Sequence, residues 1–278
     1  MTRIGLMHPG EMGASVGLVV VGNGHDVRWA GAGRSIATRT RAEAAGLADC
    51  GDVANLVRSV EVVVSLCPPA AALDVATEVA ALGFNGIYVD ANAVSPDTAR
   101  QIADIVQHAG ATFIDGDVIG GPPTQSATTR VYLSGIGAAT IAELVAPYGV
   151  DLGPDPTAAS ALKMCYAAWT KGTWALLTAI RGAARKLDVE DALLAEWERS
   201  QPGLAERSTW AATANARKAW RFAPEMDHIA ATFASVGLPA GFASAAASLY
   251  RQLDGFKDVK DPPLSEVLDA VLAPVTEP

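Results

Sequence analysis

The sequence predicts an α/β protein in which a parallel β-sheet covered by helices on both faces is followed by an all-helical second half. Three observations carry this expectation. From residue 1 to about 150, short and nearly all-apolar runs alternate with alanine-rich helical stretches, the pattern of strands buried on both faces. Beyond Pro156 the strand pattern stops and helix-compatible segments follow one another. A turn containing two glycines joins the first strand to the first helix.

The strands are expected at Arg3 to Met7, Asp26 to Ala30, Val60 to Leu66, Gly86 to Asp90, Ala111 to Asp115 and Arg130 to Ser134. Helical patterns lie between them, at Glu11 to Val21, Ile36 to Ala45, Ala70 to Ala80 and Pro96 to Ala109. A continuous helix-compatible stretch then runs from Thr157 to Leu187, longer than most globular helices. Further helices are expected at Leu193 to Gln201, Leu204 to Trp220, Ala223 to Val236, Ala240 to Gln252 and Leu264 to Leu272, punctuated by Pro239, Pro262 and Pro263. Two domains follow, 1–155 and 156–278, and every tryptophan except Trp29 lies in the second.

With 278 residues, 50% of them hydrophobic and 18% charged, the chain can bury a sizeable core. A net charge of -9 argues against a nucleic-acid partner, which calls for a basic face. Cys50, Cys67 and Cys165 are widely spaced and read as reduced thiols in a cytoplasmic protein, with neither a disulfide framework nor a metal site. No targeting segment precedes the first strand, and no apolar run approaches the roughly 18 residues of a membrane span.

The first strand ends in Met7-His8-Pro9-Gly10-Glu11-Met12-Gly13. Laid on the dinucleotide fingerprint GxGxxG, Gly10 and Gly13 take the second and third positions and His8 the first. The second glycine admits backbone to the pyrophosphate, and the third lets helix and strand pack closely. The helix opening near Glu11 turns its free N–H groups toward the phosphates. These features predict a Rossmann domain. About twenty residues on, an NAD-binding chain carries an acidic residue for the ribose 2′-hydroxyl. Here the sequence reads Gly31-Ala32-Gly33-Arg34-Ser35, and no carboxylate stands there. Arg34 can grip a 2′-phosphate bidentately, Ser35 can donate a hydroxyl, and Arg39 and Arg41 can add charge, so NADP is the expected cofactor.

Further segments resemble the β-hydroxyacid dehydrogenase superfamily, which includes 3-hydroxyisobutyrate and 6-phosphogluconate dehydrogenases, with imine reductases a related branch. The resemblance covers nearly the whole chain. It looks closest to a subgroup with a phosphogluconate-dehydrogenase-like C-terminal domain and largely uncharacterised substrates. Ser65-Leu66-Cys67-Pro68-Pro69 matches the loop passing over the cofactor, and Asp90-Ala91-Asn92-Ala93-Val94-Ser95-Pro96 the strand end beside the nicotinamide. Asp115-Gly116-Asp117-Val118-Ile119-Gly120-Gly121 stands where the family has its substrate-binding Asp-Ala-Pro-Val-Ser-Gly-Gly segment. By this resemblance Leu66, Cys67, Pro68 and Asn92 contact cofactor, and Val118, Ile119, Gly120 and Gly121 contact substrate. It also implies a homodimer whose helical domains close over each other's active sites.

Lys163 falls at the family's catalytic lysine on a long interdomain helix. Three other positions depart from the family. Ile119 replaces a serine, Ala167 the asparagine four residues after the lysine, and Pro224 a second lysine. The residues that would hold a substrate carboxylate are therefore altered, which points to a bulkier or less acidic substrate.

Helical geometry places Tyr166, Ala167, Thr170 and Trp174 on the Lys163 face, with Lys171 about 80° away. Lys163 would be the general acid–base group, Tyr166 a second donor or proton relay, and Thr170 and Trp174 a pocket lining. Trp210, Asn215, Trp220, Arg221, Phe242 and His228 are weaker pocket candidates. The favoured expectation is an NADP-dependent oxidoreductase acting on a small hydroxy or keto compound. The alternatives are a C=N reductase relying on Tyr166, and an NADP-binding regulatory protein without turnover.

Overall fold

In a computed structural model of the chain, residues 1–123, 128–257 and 259–274 are described. Contacts divide it into two compact units, Met1–Met164 and Cys165–Pro278.

Among the described residues, the first unit carries eight strands and seven helices or helix starts. Strand β1 (Arg3–Leu6) leads into α1 (Glu11–Gly22), then β2 (Asp26–Trp29), α2 (Ile36–Ala44), β3 (Ala48–Asp49) and α3 (Val53–Ser59). There follow β4 (Val62–Ser65), α4 (Ala72–Ala81), β5 (Ile87–Asp90), α5 (Pro96–His108) and β6 (Thr112–Ile119). The unit ends with β7 (Arg130–Ser134), α6 (Ala138–Leu144), β8 (Gly149–Asp151) and the start of α7 (Ala158–Lys186). The sheet order is β3-β2-β1-β4-β5-β6-β7-β8. Its first six strands form the 3-2-1-4-5-6 arrangement of a dinucleotide-binding sheet.

Alternate residues of each strand serve opposite cores. Ile4, Leu6, Val89 and Ile114 pack with Val16 and Val20 of α1 and Ile141 of α6. On the other face, Val63, Tyr88 and Phe113 pack with Leu56 of α3, Val75 and Val79 of α4, and Ile102 of α5. Caps fix several helix starts: Ser35 accepts from the Thr38 amide, Asp52 from the Asn55 amide and Ser95 from the Thr98 amide.

One departure from a wholly parallel sheet matters for the site. Strand β6 does not stop at Asp115; it runs on to Ile119, because β7 pairs with it antiparallel, Asp115 opposite Ser134 and Ile119 opposite Arg130. The stretch from Gly116 to Ile119, beyond the expected strand end at Asp115, is thus itself strand.

The second unit is all-helical: the rest of α7, then α8 (Glu190–Ser200), α9 (Leu204–Ala216), α10 (Ala219–Ser235), α11 (Gly241–Gln252) and α12 (Leu264–Val271). Several helix limits differ from expectation, among them the start of α8, at Glu190 instead of Leu193. The break after α9 falls at Arg217 and Lys218, and Pro224 lies inside α10 instead of opening it. Among the described residues, no helix is long and apolar enough to cross a membrane.

Within this unit Lys171 is buried and forms an ion pair with Glu225. The Lys171 ammonium also lies 5.1 Å from the centre of the Phe222 ring, and the Tyr250 hydroxyl donates to the Lys171 carbonyl at 2.7 Å. Trp174 meets Trp210 edge-on at 5.5 Å and Phe222 at 5.9 Å. Trp174 is therefore part of an aromatic cluster, and Lys171 is a packing element.

Candidate functional site

In open α/β sheets, ligands bind beyond the carboxyl ends of the strands where the strand order reverses. Here that point lies between β1 and β4, which are neighbours in the sheet and lead into helices on opposite faces. The turn Met7 to Gly13 leaves β1 there, and Leu66-Cys67-Pro68 leaves β4.

The glycine turn fits a pyrophosphate. A Cβ on Gly10 would meet nothing within 4 Å, so the backbone is open to a ligand, whereas a Cβ on Gly13 would sit 2.3 Å from the His8 carbonyl oxygen. Gly13 thus lets α1 pack on the turn, and Gly10 leaves room above it. Gly10 is the N-cap residue of α1, and no side chain caps the helix. The early N–H groups of α1, such as those of Glu11 and Met12, are thereby left to donate to an anion. His8 contributes no charge: burial, aided by the Arg34 cation, holds its imidazole down at about 4. Met7 is buried, and its carbonyl accepts from Arg34 at 3.4 Å.

Beyond β2, Gly33 adopts a φ of +71° in the turn that presents Arg34. Ser35 is engaged as the cap of α2, its hydroxyl 3.0 Å from that of Thr38. Arg39 donates to the Gly31 carbonyl at 2.6 Å and pairs with Asp49 at 3.4 Å. Asp49, which sequence reasoning passed over, reaches across from β3 to accept from the Gly31 and Gly51 amides. Arg41 approaches the Pro9 carbonyl at 3.5 Å.

The loop after β4 is pinned from β5. Asn92 accepts from the Cys67 amide at 2.5 Å and donates to Ser65 at 3.0 Å and to Asp90. Burial pushes the Cys67 thiol up to about 11, so it stays protonated and is no nucleophile. Pro68 precedes a short 3₁₀ turn, Pro69–Ala71.

On β6, residues two apart share a face. Asp115 and Asp117 accordingly point the same way, and Asp115 stands opposite Asp90 of β5. Asp115 caps the start of α7, accepting from the Ser160 amide at 2.8 Å and the Ser160 hydroxyl at 2.6 Å. Ser134 joins them, donating to Asp115 at 3.3 Å and accepting from the Ala159 amide at 3.0 Å. One turn along the helix, the Lys163 ammonium donates to Asp117 at 2.6 Å and to the Val118 carbonyl at 2.7 Å. The Val118 side chain itself packs into the core, as strand alternation requires, so only its backbone faces Lys163. Ile119 ends β6, Gly120 follows at a φ of +113°, and the Gly121 carbonyl accepts from Thr129 at 2.7 Å.

Burial shifts two of these carboxyl groups. Complete burial pushes Asp90 well above the usual carboxylate range, helped by Asp115 beside it and opposed by its bond from Asn92. Burial also raises Asp115, to about 7, against the bonds from Ser160 and Ser134 that lower it. The folded value of Asp115 lies above the roughly 3.9 of an unfolded chain. The stability it contributes is full below about pH 4 and is lost as pH rises to about 7. Asp115→Asn abolishes that contribution. The stability difference between wild type and variant, followed by urea unfolding, should therefore move against the wild type across this window.

The remaining predicted residues lie in the second unit. Tyr166 is exposed, Ala167 buried, and the Thr170 hydroxyl donates back to the Tyr166 carbonyl at 3.3 Å. His228 is held below its usual range by burial. Trp210 and Phe242 are exposed, and the Asn215 amide donates to the Ala211 carbonyl at 2.9 Å. Among the described residues, no group of side chains could hold a metal ion.

Sequence reasoning found Lys163 and Asn92 but missed Asp117, Ser160 and Ser134. The signal was present: Asp115 and Asp117 are two residues apart, the spacing of one strand face.

Comparison with known proteins agrees with this geometry. Residues 184–253 match a domain of unknown function, DUF1932. An uncharacterised 28.5 kDa protein of Methanothermus fervidus is 32% identical over 165 residues, which cover 58% of this chain and 63% of that protein. The solved structure of MTH1747, a conserved protein of unknown function described as similar to 3-hydroxyacid dehydrogenases, aligns at a TM-score of 0.70. It shares 26% identity over 91% of this chain and 97% of its own. The fold is shared with Mycobacterium tuberculosis 3-hydroxyisobutyrate dehydrogenase, at a TM-score of 0.71 and 21% identity over 98% of this chain and 100% of that one. Residues 3–148, which hold the glycine turn, the Asn92 network and the strand face under Lys163, match the NAD-binding domain of 6-phosphogluconate dehydrogenase, and the chain belongs to that family.

Proposed function

We propose that the protein is an NADP-dependent oxidoreductase that interconverts a small hydroxy compound and its carbonyl, with Lys163 as the general acid–base group. The observation that carries this reading is the placement of the Lys163 ammonium. It is fixed by two hydrogen bonds at the carboxyl end of a sheet whose β1 and β4 turns are shaped for a dinucleotide.

The uncapped start of α1 and the open space over Gly10 would hold the pyrophosphate, Arg34 the 2′-phosphate, and the Cys67 and Asn92 region the nicotinamide end. The bound cofactor supplies or removes hydride at the substrate carbon. Everything else falls to the chain. An ammonium has three donors, and Lys163 commits two of them to Asp117 and Val118. The third is directed to the substrate oxygen, which takes the proton during reduction and returns it during oxidation. Tyr166 lies three residues further on the same helix and would add a second donor.

Exposed Trp169, Leu176, Trp210 and Phe242 on the helical unit support a homodimer that buries them.

Arg34 decides the cofactor. Losing charge-assisted bonds to a 2′-phosphate costs about 1.5–3 kcal/mol, a roughly 10–100-fold weakening. Titration followed by tryptophan fluorescence should show NADPH bound more tightly than NADH. Arg34→Ala should remove that preference and leave NADH binding unchanged. Equal binding of both nucleotides by the wild type would sink the NADP assignment.

A further inference from the structure

The site around Lys163 is richer in acidic side chains than a binding site for a carboxylic acid should be. Asp117 touches the ammonium at 2.6 Å and is almost wholly buried, with only 3% of its side chain exposed. Asp115 lies on the same strand face and Asp90 opposite it on β5. Of these three acidic groups on β5 and β6, Asp117 is the one bonded to Lys163. Asp90 and Asp115 are pushed toward their neutral forms by burial, which leaves Asp117 as the counter-ion of Lys163.

The polar groups nearby are committed to the protein. The Ser160 hydroxyl is spent on Asp115, that of Thr129 on the Gly121 carbonyl, and both ends of the Asn92 amide on Cys67, Ser65 and Asp90. Position 119 offers the alkyl chain of Ile119. A substrate carboxylate brought to Lys163 would meet a cation already neutralised, with the Asp117 anion beside it, and like charges at such range oppose each other.

We propose that Asp117 is a positioning residue that holds Lys163 as a charge-compensated proton donor and so directs the site to uncharged carbonyl compounds, such as keto esters and ketones, in preference to keto acids. The inference rests on the reading of Lys163 as the acid–base group. In the reduction, hydride from the reduced cofactor adds to the carbonyl carbon while the carbonyl oxygen takes a proton from the Lys163 Nζ. The C=O becomes a CH–OH, the nicotinamide is oxidised, and the neutral amine is reprotonated from water. Asp117, hydrogen-bonded to Nζ, favours the return of that proton.

Two measurements on the full chain test this. The first needs no turnover. Competitive acetylation of Lys163 by acetic anhydride, read by mass spectrometry across pH, gives the midpoint at which the amine becomes reactive. In Asp117→Asn that midpoint should fall, because the partner anion is lost, and in Asp117→Glu it should return toward the wild-type value. A midpoint unchanged in Asp117→Asn, with the thermal unfolding profile intact, overturns the pairing. The second compares NADPH-dependent reduction of methyl 3-oxobutanoate with that of the 3-oxobutanoate anion. The wild type should favour the ester by about tenfold or more in kcat/KM, and Asp117→Asn should narrow that ratio by a similar factor. A wild-type preference for the anion overturns the substrate assignment. If neither compound nor any other carbonyl is reduced while the acetylation shift is present, the oxidoreductase reading falls with its substrate class, and the role of Asp117 toward Lys163 stands.

Discussion

Lys163→Met should lower turnover by about 10²–10⁴-fold, the range general acid–base catalysis supplies, and leave the affinity for NADPH nearly unchanged. The side chain reaches from α7 to Asp117 and Val118 of β6, whereas the dinucleotide phosphates would be held by the β1 turn and Arg34. The substitution leaves the Asp117 carboxylate buried without its cation, so Lys163→Met with Asp117→Asn is the control. If turnover falls equally in the double variant, which removes the stranded charge, loss of the proton donor is the cause. The same experiment separates the three functional readings. Turnover collapses for carbonyl reduction through Lys163, survives if Tyr166 is the acid for a C=N substrate, and is absent in wild type and variant alike if the protein only binds nucleotide.

The largest effect on stability is expected in the helical unit. Glu225→Gln removes the carboxylate that pairs with the buried Lys171 ammonium. Breaking one side of a buried ion pair costs roughly 3–5 kcal/mol, which lowers Tm by on the order of 10 °C in a domain of this size. Lys171→Met combined with Glu225→Gln should recover much of the loss, since it removes the uncompensated charge along with the pair. Urea unfolding of the three proteins checks this, and a single variant as stable as the double one would contradict it. Because Tyr250 donates to the Lys171 carbonyl, the backbone anchor survives both substitutions.

The strands at the centre of the sheet were legible because each is a run of branched apolar residues bounded by glycine, proline or charge, as in Val62–Ser65 and Ile87–Asp90. Strands β3 and β8 and helices α3 and α6 were not, since two, three and seven residues are too few to display a period. Pro224 looked like the start of a helix because proline is welcome in a first turn. Packing of Phe222, Ala223 and Met226 carries α10 through it nonetheless.

In the site, the glycine turn, Asn92 and Lys163 each stand in a recognisable local pattern. The Lys163–Asp117 pair joins residues 46 apart in the chain, and no local pattern encodes it. It became visible only once β6 was known to continue past Asp115, which antiparallel pairing with β7 decides. The cap that Asp115 and Ser134 provide for α7 is hidden for the same reason.

That continuation of β6 makes the segment intolerant of insertions and deletions in a way its surface neighbours are not. Adding or removing a single residue between Asp115 and Asp117 would invert the parity of everything after it. Asp117 would then face the hydrophobic core and Val118 the ammonium. Substitution at Gly116 is restricted as well, since a Cβ there would approach Leu133 and the Asp90 carbonyl at 3.1 and 3.2 Å. Homologous chains that place a carboxylate opposite this lysine should therefore keep the spacing from Asp115 to Asp117 constant.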